Sequence, residues 1–259
     1  MQNQAASILS HSKQAPYYRF RVPYSQKMFA QIADFLDITG DTEVMDAGCG
    51  TGHVTDHLVK FAKHVHAVDG SDEMLKRAQN YSNASYYLRD LNKEKFELTN
   101  GVSHIFFGRC IHHFSSDSVR LLIDDNLIKG GSIVTCSSEW FAEGGWDAAY
   151  YELRKKYEED ENTSKRDVTG QSNLLPIGLK PEKKFVDAFK VLVDTRYLTR
   201  LTLARAYGKT FTNLQNDFDN FEKEMAKVMS PFLTENRLSM IIRSWAYVWR
   251  DATKINESS

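Results

Sequence analysis

The fold is decided by the stretch Val44-Met45-Asp46-Ala47-Gly48-Cys49-Gly50-Thr51-Gly52, together with the later run Ala67-Val68-Asp69. The first apolar residues predict a strand, and the glycines after it let the backbone approach a ligand closely. The helix expected next offers unpaired N–H groups at its N-terminus. Asp69 follows Gly48 by 21 residues, the spacing at which the second strand of a βαβ unit brings an acid to ribose hydroxyls. This combination predicts a site for a nucleoside cofactor.

The position of Asp46 bears on which cofactor it is. A pyrophosphate-binding turn usually has the pattern GxGxxG, whereas these glycines follow GxGxG directly after an acid. A carboxylate beside two phosphates would repel them, which argues against NAD. S-adenosylmethionine (SAM) carries an ammonium and a sulfonium, both of which suit a nearby carboxylate. The predicted cofactor is therefore SAM, with S-adenosylhomocysteine (SAH) as its product.

At these residues the chain resembles the class I SAM-dependent methyltransferases, and more loosely their small-molecule branch, which includes trans-aconitate methyltransferase. Gly70-Ser71-Asp72-Glu73-Met74 and Arg89-Asp90-Leu91 are similar to the next two motifs of that family, and Cys110-Ile111-His112-His113-Phe114 is similar to the segment after its fourth strand. The matches cover roughly residues 40 to 140. The resemblance implies a methyltransferase that acts on a small molecule through an oxygen, a nitrogen or a carboxylate.

The resemblance also assigns roles within the cofactor site. Asp46 to Gly52 would hold the methionine part of SAM, Asp69 the ribose, and Met74 and Asp90 the adenine. The N-terminal arginines of the small-molecule branch suggest that one arginine pairs with the SAM carboxylate. The cofactor residues implied in this way are Arg21, Asp46, Gly48, Cys49, Gly50, Gly52, Asp69, Gly70, Met74, Asp90, Leu91 and Arg109.

Several of these residues have a plainer interpretation. Met74 lies at helical spacing with Ala78 and fits an ordinary core position equally well. Cys49 fits a tight turn as a small residue, and Arg19 and Arg21 fit a loop as solvated charges.

Candidate catalytic and substrate residues follow from the same segments. A hydroxyl or amine acceptor needs a base, for which His113 or His112 is suited because its pKa lies near working pH, whereas a carboxylate acceptor needs none. The two histidines also fit a solvated loop pair. The predicted substrate contacts are aromatic: Tyr18, Trp140, Trp146 and Tyr150. Their alternative is a surface helix whose aromatic side chains bury one face.

Composition limits the class of protein. The 259 residues, 42% of them hydrophobic, can form one large α/β domain with a cap. The 33 basic and 34 acidic residues give no basic footprint, so we expect a small-molecule partner and no nucleic acid. Three scattered cysteines indicate neither a disulfide framework nor a metal site. No apolar run or leader pattern suggests a membrane, and a cytoplasmic monomer or homodimer is expected.

Hydrophobic periodicity predicts alternating strands and helices, which favours a doubly wound, mostly parallel seven-stranded sheet of the Rossmann-like methyltransferase type with a helical cap insertion. We divide the chain into a lid and helix (1–40), a SAM-binding core (41–140), a substrate-capping insertion (141–190) and a C-terminal part of the sheet with helices (191–259). The predicted helices are Ser25–Leu36, Thr51–Phe61, Asp72–Tyr81, Asp117–Leu127, a helix starting at Pro181, and Leu214–Met229. The predicted strands include Ser132–Cys136 after a Gly130-Gly131 turn, Val191–Val193 and Leu238–Trp249.

Two functions of other classes stay open at this point. The same site fits a SAM-dependent enzyme that does not transfer methyl, through intramolecular attack on the sulfonium or by using SAM as an electrostatic element. It also fits a non-catalytic SAM-binding protein.

Overall fold

A seven-stranded sheet organises the chain, and the computed structural model describes residues 13–159 and 169–251. The strand order is β3-β2-β1-β4-β5-β7-β6. The strands are β1 Glu43–Ala47, β2 His64–Asp69, β3 Ala84–Leu88, β4 Val102–Gly108, β5 Leu127–Glu143, β6 Leu179–Val193 and β7 Leu238–Asp251. Residues 1–12 of the predicted lid and 160–168 of the predicted cap lie outside the described residues.

The predicted parallel, doubly wound topology is confirmed for β1 to β5. β1 pairs in parallel with β2 on one side and with β4 on the other, while β3 and β5 extend the parallel pairing outward. The chain therefore reverses its direction of winding between β1 and β4. Ligands of open α/β sheets bind beyond the carboxyl ends of the strands at this point, which places the candidate site after β1, β2 and β4.

The helices are α1 Gln26–Phe35, α2 Thr55–Leu58, α3 Asp72–Leu75, α4 Ser116–Asn126, α5 Asp147–Lys155, α6 Gln171–Leu174, α7 Thr195–Arg205, α8 Gly208–Asn216 and α9 Phe218–Met229. Residues 13–18 are also helical. Helix α1 begins where predicted because the Ser25 hydroxyl accepts the Met28 N–H at 3.0 Å, an N-cap, and its apolar side chains are buried.

Two helices are much shorter than predicted. The helix expected from Thr51 starts only at Thr55, because Gly52 and the glycines before it have left-handed backbone. The helix expected to reach Tyr81 ends at Leu75, ahead of a segment rich in Asn and Ser. The predicted helix Leu214–Met229 is divided between α8 and α9 at Asp217.

Two strands are longer than predicted. Gly130 and Gly131 lie within β5 and do not form a turn before it; a Cβ on Gly131 would lie 2.5 Å from the Ser103 carbonyl oxygen, so glycine permits the close pairing with β4. Strand β6 begins at Leu179, so the helix predicted at Pro181 was wrong. Proline is tolerated there because β6 is an edge strand, where a missing N–H breaks no ladder hydrogen bond.

The chain folds into two compact units. Unit 1 comprises residues 1–23, 139–164 and 188–243, and unit 2 comprises residues 24–138, 165–187 and 244–259. Unit 2 has hydrophobic clusters built on β1, β2 and β4, which include Val44, Met45 and Phe106. Unit 1 has a separate cluster centred on aromatic and aliphatic side chains such as Trp146 and Phe221. Among the described residues, no helix has the length and apolarity that crossing a membrane requires.

Candidate functional site

A tight glycine turn follows β1 in unit 2. Gly48, Gly50 and Gly52 have φ angles of +70°, +57° and +85°, a region that side-chain-bearing residues rarely adopt. A Cβ on Gly48 would lie 2.9 Å from the Cys110 sulfur, so only glycine fits beside the segment after β4. The N–H groups of Gly48 and Cys49 donate to the Val68 carbonyl at 2.8 and 3.0 Å. The turn is therefore held against the end of β2.

Asp69 joins this glycine turn to the turn after β2. Its Oδ2 accepts the Gly50 N–H at 2.8 Å, and its Oδ1 accepts the Ser71 N–H at 2.8 Å. Burial raises the pKa of Asp69, while both N–H donors act in the opposite direction. Each carboxylate oxygen has a further lone pair, so the fixed carboxylate can still accept from two hydroxyls.

Asp46 lies in β1 directly before the glycine turn, with its carboxyl group inside the protein. Its side chain is 0% exposed, and its Oδ2 accepts the N–H and the hydroxyl of Thr55 at 3.0 and 2.7 Å. Asp46 Oδ1 has no hydrogen-bond partner in the part of the chain that the structure describes. Burial raises the pKa of Asp46 to about 7. The carboxyl group thus anchors the start of α2.

The predicted adenine-binding residues lie on two neighbouring turns. Asp90 Oδ1 accepts the Asn92 N–H at 3.1 Å, and Asp90 Oδ2 pairs with Lys93 Nζ at 2.8 Å. Met74 is only 2% exposed, which agrees with the core interpretation of this residue. Leu91 packs against the hydrophobic cluster of unit 2, and Gly70 is half-buried beside Asp69.

Arg109 is buried at the carboxyl end of β4. It has a φ angle of +60°, which is uncommon for a residue with a side chain. Its guanidinium lies 4.5 Å from the centre of the Tyr24 ring, and Nη1 donates to the Ser138 hydroxyl at 3.1 Å. The positive charge is thereby held next to the end of β5.

His112 and His113 belong to a 3-10 helix, Ile111–His113, directly after β4. Both are half-buried, and their ring centres are 4.0 Å apart.

Two asparagines that the sequence motifs did not include fix this segment. Asn92 donates to the His113 carbonyl at 3.0 Å and accepts the Ser115 N–H at 3.3 Å, while Asn173 donates to the Phe114 carbonyl at 2.6 Å. The position of Asn92 two residues after Asp90 was a usable signal, since asparagine favours turns. Nothing in the sequence around Asn173 indicates its role.

The remaining predicted residues lie in unit 1. Trp140, Trp146 and Tyr150 pack together: the two indoles stack with centres 5.2 Å apart, and the Tyr150 hydroxyl lies 3.0 Å from the Thr202 hydroxyl. Trp146 and Tyr150 are each 1% exposed, which agrees with the alternative in which these aromatic side chains are buried by packing.

Arg21 and Tyr18 also belong to unit 1. The Arg21 guanidinium lies 5.4 Å from the centre of the Tyr18 ring, and its Nη1 donates to the Ala204 carbonyl at 3.3 Å and to the Tyr207 hydroxyl at 3.2 Å. Over residues 13–159 and 169–251, no group of three or more His, Cys, Asp or Glu side chains is placed to hold a metal ion.

Comparison with known proteins identifies the part of the chain that carries this site. Residues 44–125 match the family described as the methyltransferase domain. Among solved structures, a candidate type II methyltransferase from Anaeromyxobacter dehalogenans superposes with a TM-score of 0.66 at 15% identity, over 88% of this chain and 97% of that one. At this identity the likeness concerns the fold.

Two curated relatives match over short stretches. The 23S rRNA (uracil(1939)-C(5))-methyltransferase RlmD of Vibrio campbellii is 42% identical over 76 residues, which cover 29% of this chain and 16% of the relative. The RNA methyltransferase lin1863 of Listeria innocua, whose function is uncharacterised, is 31% identical over 81 residues, which cover 31% and 17%. The chain thus spans less than a fifth of the length of these relatives.

Proposed function

We propose that this protein transfers the methyl group of SAM to a small-molecule acceptor, since residues 44–125 match the methyltransferase domain. The observation that carries the proposal is the position of Asp69. One carboxylate receives an N–H from the glycine turn and another from the turn after β2, at the carboxyl edge of a doubly wound sheet. This arrangement suits the two hydroxyls of a ribose.

The residues present fit SAM in three respects. The glycines of the left-handed turn carry no side chains, so their backbone can approach a ligand closely. Asp69 offers two acceptors for ribose hydroxyls. Asp46 contributes a buried carboxyl whose Oδ1 has no partner in the described part of the chain, and a cation nearby would stabilise its ionised form. When bound, SAM supplies a methyl group that its positive sulfur already makes labile.

The protein then contributes positioning and, for some acceptors, a base. A hydroxyl or amine must lose its proton on attack, and His113 is suited to take it because an imidazole titrates near neutral pH. Asn92 and Asn173 hold the backbone on which His113 lies, and this fixes the point from which its ring projects. A carboxylate acceptor would need only positioning.

A small molecule is a better acceptor than RNA for this chain. The printed names of the curated relatives concern RNA, but their matches cover about 30% of this chain. The formal net charge of −1 lacks the excess of basic residues with which proteins neutralise phosphates.

Calorimetric titration with SAM, SAH and NADH tests the cofactor part of the proposal. We expect SAM and SAH to bind, NADH not to bind, and Asp69→Ala to weaken SAM binding by about a hundredfold, since two hydroxyl contacts to a charged group are lost. Asp72→Ala, an exposed acid three residues along the chain, should bind SAM as the wild type does. Binding of NADH alone, or of none of the three, would overturn the proposal.

Product analysis tests the reaction itself. Turnover with an acceptor should release SAH, whereas methylthioadenosine would indicate intramolecular attack on the sulfonium. His113→Ala should lower kcat by about a hundredfold with unchanged SAM affinity if the acceptor is a hydroxyl or amine. Unchanged turnover of His113→Ala with such an acceptor would refute the role of His113 as base, and His112→Ala serves as the neighbouring comparison.

A further inference from the structure

The indole of Trp140 has an unsatisfied donor inside unit 1. Trp140 is 7% exposed, lies against Trp146, and is nearly parallel to the Tyr151 ring at 6.4 Å between centres. Its Nε1 is buried and has no acceptor among the described residues. By contrast, the Trp146 Nε1 donates to the Ser239 carbonyl at 3.0 Å. A buried N–H without an acceptor is unfavourable, so a missing hydrogen-bond acceptor is indicated beside Trp140.

Arg205, at the end of α7, indicates that the missing hydrogen-bond acceptor is negatively charged. Its guanidinium lies 6.0 Å from the centre of a Trp140 ring. No carboxylate pairs with it in residues 13–159 and 169–251. The residue is exposed to solvent, yet desolvation lowers the pKa of Arg205.

Two more arginines act on the charge of Arg205. Arg21 donates to the carbonyl of Ala204, the residue before Arg205, and its charge disfavours the protonated form of Arg205. Arg154 acts in the same direction, although it also pairs with Glu158 at 2.9 Å. Three positive charges around buried aromatic rings repel one another, and a bound anion relieves that repulsion.

We propose that Trp140, Arg205 and Arg21 form a subsite for a carboxylate group, and that this carboxylate belongs to the methyl acceptor. The acceptor is then an organic acid with an apolar or aromatic body. Arginine recognises a planar carboxylate with parallel N–H donors, and the indole N–H supplies one more donor. The exposed ring of Tyr151 offers a flat surface to the apolar part. The identity of the ligand as the acceptor rests on the proposed function.

SAM itself has a carboxylate, so the experiment separates the two sources. Full-length protein is titrated by calorimetry with 2-naphthoate, with its neutral analogue 2-naphthamide, and separately with SAH. The variants are Arg205→Gln, which removes the charge, and Trp140→Phe, which removes the N–H and keeps an aromatic ring. Arg196→Gln, an exposed arginine on the same helix, is the matched control.

We expect wild type to bind 2-naphthoate at least about tenfold more tightly than 2-naphthamide. Arg205→Gln and Trp140→Phe should each weaken 2-naphthoate binding by about tenfold, and Arg196→Gln should leave it unchanged. SAH affinity should be the same in all four proteins. Equal binding of acid and amide, no binding of either, or full binding by both variants would overturn the proposal.

Two outcomes separate the subsite from the cofactor and from the proposed reaction. If Arg205→Gln weakens SAH binding and leaves 2-naphthoate binding unchanged, the subsite serves the cofactor and the assignment to the acceptor is wrong. If no protein binds SAH but the 2-naphthoate pattern appears as expected, the subsite stands and the proposed methyl transfer fails.

Discussion

Asp46 is a residue whose ionisation couples the stability of the protein to pH. Its pKa in the folded protein is about 7, against an ordinary value of 3.8, because the side chain is fully buried. A raised carboxyl pKa means that the folded state holds a proton which the unfolded state has already lost. Stability therefore falls as pH rises from about 4 to 7 and changes no further above that range.

Replacing Asp46 by asparagine removes this pH-dependent penalty. We expect Asp46→Asn to have the higher free energy of unfolding at pH 8, and its advantage over wild type to shrink by about 2 kcal/mol at pH 5. Urea denaturation at the two pH values measures the difference, with Asp72→Asn as an exposed control. An advantage of equal size at both values would show that Asp46 is ionised throughout.

Gly48 combines two reasons for having no side chain. Its φ is +70°, and a Cβ would lie 2.9 Å from the Cys110 sulfur. Gly130 shares only the first reason, with a φ of +85° and nothing within 4 Å of a Cβ. We expect Gly130→Ala to lower the free energy of unfolding by about 1 kcal/mol and Gly48→Ala by about 2–4 kcal/mol, with SAM binding lost only in Gly48→Ala. If chemical denaturation shows the same loss of unfolding free energy for both variants, the structure around Cys110 relaxes to make room for a side chain at position 48.

The sequence alone was enough to predict site residues that are recognised by their spacing along the chain. The glycines and Asp69 follow one βαβ unit, and they meet as expected because parallel strands end at one edge. It did not predict partners that the fold brings together from distant segments. Arg205 meets Trp140 across 65 residues, and Asn173 meets Phe114 across 59. No local pattern records such contacts.

The 3-10 helix after β4 is an element held from outside by side chains. We expect Asn92→Ala to speed amide hydrogen exchange in residues 110–115 and to lower turnover, because the carbonyl of His113 and the N–H of Ser115 lose their partner. Asn83→Ala is the matched control, since Asn83 also bonds two backbone groups, the carbonyls of Val59 and Ala62. Asn83→Ala should lower the free energy of unfolding by about 1–2 kcal/mol, as Asn92→Ala does, without changing hydrogen exchange in residues 110–115. Unchanged exchange in Asn92→Ala would contradict the role of Asn92.

Elements at the edge of the sheet were the hardest to predict. Most residues of β6 from Lys180 to Lys184 are exposed and charged, so they show no apolar run. Charged residues and proline on an edge strand prevent pairing with other chains, which explains why a strand has this composition. The inner strands β1 and β4 were predicted well because burial on both faces gives them clear apolar runs.

At the scale of the whole molecule, the doubly wound sheet inferred from the motifs is confirmed, and residues 44–125 match the methyltransferase domain. The binding of SAM is the proposal that rests on them. The domain boundaries at residues 141 and 190 stay predictions. The two compact units divide the chain at other positions. Unit 1 is assembled from three separate stretches. Its hydrophobic cluster therefore leaves no continuous pattern along the chain.

The two units should respond to different ligands. Hydrogen exchange of the full-length protein with SAH should show slower exchange in residues 46–52, 69–74 and 90–92 of unit 2, since a bound ligand stabilises the turns that contact it. With 2-naphthoate, residues 140–151 and 200–207 of unit 1 should be protected, because these carry Trp140, Tyr151 and Arg205. The same experiment on Arg205→Gln should lose the second pattern and keep the first. If SAH protects only unit 1, the cofactor does not bind at Asp69 and the glycine turn, and the site is wrongly placed.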